Sequence, residues 1–136
     1  MHEPLVGKSG IGHTRWATHG APNVENAHPH RSGGVCVVHN GIIENFQELR
    51  DALAGDGITP TTDTDTETIA MLAHNYLLKG HSPQVAVENT LARLKGAFAL
   101  CFLFEGEEDL IIAARHGSPL AIGYGDGEMF VGSDAI

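Results

Sequence analysis

The chain has 136 residues, 42% of them hydrophobic, which is the size of one domain with an ordinary core. Its 17 acidic against 8 basic residues give a formal net charge of -9, which argues against a nucleic-acid partner, because neutralising a phosphate backbone needs a basic face. No apolar run approaches the roughly 20 residues that cross a bilayer, and the start Met1-His2-Glu3 lacks a basic segment followed by an apolar one, so no membrane partner is expected and the chain reads as cytoplasmic.

Residues 11–18 and 34–39 are short β-rich segments bounded by Gly, Pro, Asn and Ser, and they read as two strands joined by a long polar loop. Over 44–53, Phe46, Leu49, Ala52 and Leu53 recur at helical spacing and stop before Gly55. Residues 64–79 repeat the pattern with Ile69, Leu72, Ala73, Tyr76 and Leu77 and close at Gly80; Thr64 with Glu67 three residues on fits a capping box. A third helix is expected over 83–94, with Ser82 as its cap and Pro83 in its first turn. After Gly96 the runs 97–104, 110–114, 120–124 and 129–131 are apolar or β-branched and read as successive antiparallel strands, with turns at 106–109 and 125–127. Strands, then helices, then strands again imply an α+β fold in which helices cover antiparallel sheets. No repeat or linker divides it.

Cys36 and Cys101 both fall inside apolar runs without Cys-x-x-Cys spacing, so they read as buried free thiols. His28, His30 and His39 lack acidic or cysteine partners at ligand spacing, and no metal is expected. The glycines at 123–127 lack the Lys-Ser of a phosphate loop, and no cofactor is called for.

Some polar residues carry chemistry. Asn40 and Gly41 follow a strand, where a small turn would present an amide side chain and a peptide N–H together, as an oxyanion hole requires; the same pair is also the commonest hairpin turn. Arg15 offers a planar fork for a carboxylate, or else a strand arginine facing solvent. Asp65 offers an anion for an ammonium group, or else complements the dipole of the helix it opens.

Three motifs occur in order: Gly-Ile-Gly-His-Thr-Arg-Trp-Ala-Thr-His-Gly at 10–20, Asn-Ala-His-Pro-His at 26–30, and Val-Val-His-Asn-Gly at 37–41. This order resembles the class II, N-terminal-nucleophile glutamine amidotransferases over residues 10–134. The wording is closest to the branch that makes glucosamine 6-phosphate from fructose 6-phosphate; the amidophosphoribosyltransferase and asparagine synthetase branches share the Asn-Gly element. The resemblance implies a four-layer αββα sandwich of N-terminal-nucleophile hydrolase type, missing the first strand or strands and the C-terminal part, so that 1–136 is a partial glutaminase domain. It implies L-glutamine as ligand, Arg15 on its α-carboxylate, Asp65 on its α-ammonium, and the Asn40 amide and Gly41 N–H on the oxyanion. Trp16, Thr18 and His19 would belong to a loop closing over the amino acid.

The family's nucleophile is a cysteine opening the mature chain, where this chain has Met1. The expectation is therefore a chain that does not hydrolyse glutamine alone. Open sheet edges would favour a homo-oligomer or association with the remaining parts of the enzyme. A non-catalytic glutamine-sensing module is the alternative of a different class.

Overall fold

A computed structural model of the chain describes residues 7–13 and 20–133. In chain order the elements are β1 (His30–Ser32), β2 (Val35–Gly41), α1 (Phe46–Gly55), α2 (Asp65–Leu78), α3 (Pro83–Leu91), β3 (Phe98–Phe104), β4 (Ile111–His116), β5 (Ala121–Tyr124) and β6 (Met129–Gly132). The first four strands form one antiparallel sheet in the order β1-β2-β3-β4, while β5 and β6 pair as a separate two-stranded sheet.

Alternation along β2 and β3 decides what lies inside. Val35, Val37 and His39 stand opposite Phe104, Phe102 and Leu100. Their side chains share one face, and the apolar ones join Leu49, Leu53, Ile69, Leu72 and Val87 of the helices in a single core. The other face carries Cys36, Val38 and Asn40 against Leu103, Cys101 and Ala99. Because β3 lies between β2 and β4 and is buried on almost every residue, its sequence is an unbroken apolar run rather than an alternating one. The helix α2 is central in its layer: it packs on β1, β2, α1 and α3, and its residues 65–73 are all buried. No helix among the described residues is long and apolar enough to cross a membrane.

The helix starts follow the expected chemistry. Pro83 opens α3, and the Ser82 hydroxyl accepts from the Val85 N–H at 3.3 Å. Ser82→Ala is expected to lower stability by about 1 kcal/mol, read from the urea midpoint. At α2 the Thr64 hydroxyl accepts from the Glu67 N–H at 3.4 Å, but Glu67 does not complete the box: its carboxylate turns instead to Thr61 and Thr62.

The α+β fold of helices on antiparallel sheet stands. Among the described residues the helices pack on one face of the four-stranded sheet, and β5 and β6 form a second, two-stranded sheet. Some boundaries differ. Residues 11–13 are not in a strand, and the rest of the strand expected over 11–18 lies outside the described residues. The long loop contains β1, which its three residues were too few to betray by pattern. The Asn40-Gly41 pair is not a turn after β2 but its last two rungs, opposite Ala99 and Phe98. The helix α3 ends at Leu91 rather than at 94.

Candidate functional site

The end of β2 is shaped by a close approach of two backbones. Gly41 has φ +112°, and a Cβ there would lie 2.2 Å from the Ala97 carbonyl oxygen. Beyond it, the Ile42 N–H donates to Ala97 O at 3.2 Å and the Glu44 N–H to Lys95 O at 2.8 Å. Only glycine fits this rung. Asn40, one residue earlier, projects from the sheet face away from the helices. Its Nδ2 donates to Ser133 Oγ at 2.7 Å, and its Oδ1 meets His13 Nε2 in a short contact. A cavity of about 430 Å³ opens there, lined by His13, Asn40, Cys101, Leu120, Val131 and Ser133 among others. Its size falls within the range of small-molecule sites.

Asp65, the first residue of α2, is 3% exposed, and its Oδ2 accepts from the Ile43 N–H at 2.9 Å. The structure thus ties Asp65 to the segment two residues past Gly41. Its carboxylate is not part of the wall of the Asn40 cavity. Asn40 and Asp65 approach the strand end from opposite faces of the sheet, one outward and one on the helical side. Arg15, Trp16, Thr18 and His19, the other residues expected to bind substrate, lie outside the described residues.

Beneath Asp65 is a buried anion. Glu67, 4% exposed, accepts from the backbone N–H and hydroxyl of both Thr61 and Thr62. Arg50 of α1 stands 3.8 Å from its Oε1 and also donates to Thr64 O and Thr68 Oγ1. Burial raises the Glu67 pKa, but the Thr61 and Thr62 donors outweigh it, and the net effect holds the carboxyl below the ordinary glutamate value. These bonds fix the loop before α2 and hence the position of Asp65.

The histidines of the second and third motifs are absorbed by the same turn. The Thr66 hydroxyl lies 2.8 Å from His28 Nε2 and 3.0 Å from His39 Nδ1, and the Thr64 hydroxyl 3.0 Å from His30 Nε2. His13 stacks on His28 at 4.1 Å between ring centroids. Among the described residues no group of three or more His, Cys, Asp or Glu could hold a metal ion. Cys36 is half-buried and Cys101 buried. Burial pushes the Cys101 thiol up, away from the thiolate a nucleophile needs.

Sequence reasoning passed over His13, Ser133, Arg50 and the true partners of Glu67. Arg50 meets Glu67 across 17 residues of chain and Ser133 meets Asn40 across 93, so no local spacing announces either pair.

The fold is one seen in solved glutamine amidotransferases. It matches glutamine phosphoribosylpyrophosphate amidotransferase from B. subtilis complexed with ADP and GMP, with TM-score 0.70 and 32% identity over 88% of this chain and 26% of that one. A second solved structure, described as the allosteric regulatory enzyme of purine biosynthesis, gives TM-score 0.71 at the same identity and coverage. A family model for the glutamine amidotransferase domain matches residues 13–135, and the chain belongs to that family. In sequence it is 63% identical over 134 residues to a glutamine–fructose-6-phosphate aminotransferase (isomerizing) of Mesorhizobium japonicum. It is 62% identical to enzymes of the same description in Bradyrhizobium diazoefficiens and Caulobacter vibrioides. Each match covers 98% of this chain, which spans 22% of the length of those relatives.

Proposed function

We propose that residues 1–136 form the glutamine-recognising portion of an isomerizing glutamine–fructose-6-phosphate aminotransferase. The observation that carries this reading is the Asn40 amide on the wall of a cavity of about 430 Å³, beside a strand end that only Gly41 can complete. On this reading Arg15 would take the α-carboxylate of L-glutamine and Trp16, Thr18 and His19 would contact the amino acid, while Asp65, on the helical side and outside the wall of the Asn40 cavity, would meet the α-ammonium only past the end of β2, beside the Ile43 N–H it already accepts from. The Asn40 amide and the Gly41 N–H receive the negative charge that develops on the side-chain carbonyl oxygen when a thiolate attacks it; one such donor contributes about 2.7–4 kcal/mol to the transition state. The ammonia released in the whole enzyme would convert fructose 6-phosphate to glucosamine 6-phosphate on a separate domain.

The attacking thiol in this family opens the mature chain, and neither Cys36 nor Cys101, each within a strand, is set to replace it. On this reading residues 1–136 supply the pocket for glutamine, and neither of these two strand cysteines hydrolyses the bound amide. Titration calorimetry on the purified chain tests this: L-glutamine should give a saturable heat, and Asp65→Ala should weaken binding roughly 10- to 100-fold, the worth of a charged hydrogen bond. Ammonia release that Arg15→Ala abolishes, or no heat with a folded chain, would sink the reading.

A further inference from the structure

We propose that His13 is a positioning residue that fixes the orientation of the Asn40 side-chain amide, and that Ser133 completes the clamp. The inference rests on the site proposed above and adds the device that aims its donor.

An asparagine amide can flip, exchanging its NH2 and its oxygen, and an oxyanion hole needs the NH2 toward the reacting oxygen. Two contacts hold Asn40 here: His13 Nε2 at its Oδ1 and Ser133 Oγ at its Nδ2. Either of two pairings satisfies both. If His13 carries its proton on Nε2, it donates to Oδ1, and Nδ2 gives one hydrogen to Ser133 and keeps the other for a ligand. If the proton sits on Nδ1, the amide must flip and offer its oxygen to the Ser133 hydroxyl.

The surroundings of His13 choose between them. Its Nδ1 is buried and has no hydrogen-bond partner among the described residues. A proton there would be a stranded buried donor, a rarer condition in proteins than an unfilled acceptor. The ring itself is held by stacking on His28, whose Nε2 lies 2.8 Å from the Thr66 hydroxyl, one residue from Asp65. The imidazole is therefore placed before a ligand arrives, with Nε2–H aimed at Asn40. Ser133 alone cannot select the orientation, since a hydroxyl both donates and accepts. An imidazole locked in one tautomer can.

Long-range proton–nitrogen NMR on the 15N-labelled chain reads the tautomer directly, and it does so whether or not glutamine binds. Neutral His13 should carry its proton on Nε2, and the Asn40 side-chain NH2 resonances should move in His13→Leu but stay near their original shifts in His13→Gln, whose amide nitrogen can donate from about the same place. Calorimetry adds the functional side. His13→Leu should weaken L-glutamine about 5- to 10-fold, the worth of one hydrogen bond, and leave L-norvaline, which lacks the side-chain carbonyl, unchanged. His13→Gln should restore the glutamine affinity. A proton on Nδ1, unmoved Asn40 resonances in His13→Leu, or equal losses for glutamine and norvaline would overturn the proposal. Failure of the unaltered chain to bind either amino acid would overturn the glutamine reading, while the tautomer measurement would still decide the clamp.

Discussion

Glu67→Ala should lower stability by about 3–5 kcal/mol, a large part of the 5–15 kcal/mol typical of a whole domain, and should leave much of the chain unfolded near 37 °C. The reason lies less in the ion pair than in what its loss strands. Glu67 gathers the N–H and hydroxyl groups of Thr61 and Thr62 around one carboxylate and faces the largely covered guanidinium of Arg50. Removal leaves that cation without an anion and those donors without an acceptor, each a desolvation cost. The same carboxylate sets an acid limit. Its pKa is lowered on folding, so the stability it contributes is complete above the unfolded value near 4.5 and is lost as pH falls through the lower folded value. Urea titrations between about pH 7 and 3 should show this loss. Glu67→Gln should have a flatter profile on a lower baseline; an unchanged acid slope in that variant would refute the assignment.

Gly41→Ala comes next, at about 3–5 kcal/mol. Two costs add: a φ of +112° that L side chains rarely adopt, and a Cβ 2.2 Å from a backbone oxygen. The neighbour is the Ala97 carbonyl, which accepts from the Ile42 N–H and cannot withdraw without breaking that bond. The alternative to unfolding is a displaced strand end, with Asn40 shifted from its cavity. Thermal melting together with glutamine calorimetry separates the two outcomes. A variant with unaltered melting and unaltered binding would show that the rung tolerates a side chain.

Much of this architecture could be read from residue order, for reasons that differ by element. The helices declared themselves through apolar spacing that reflects the core they face, with Leu49 and Leu53 in α1 and Ile69 and Leu72 in α2 all buried. The strand β3 did so through an apolar run that reflects cover on both faces. The strand β1 did not, because three residues are too few to alternate visibly. Asn40-Gly41 looked like a turn because the pair favours left-handed backbone; in the structure that freedom serves a close crossing with Ala97 instead. Asp65 and Glu67 both fit a helix start, and the sequence could not say that one would reach the Ile43 amide and the other a nest of threonine donors. Those partners come from tertiary folding, which spacing does not encode.

The opening turn of α2 holds His30 of one strand, His39 of the next and the Ile43 amide at once. Loosening that turn would release all three. Among the described residues, the carboxylate proposed to sense the amino acid and the bonds that keep helix and sheet together thus belong to one cooperative unit. A ligand that grips Asp65 would tighten the whole body of the protein, and occupancy would register as resistance to unfolding far from the point of contact.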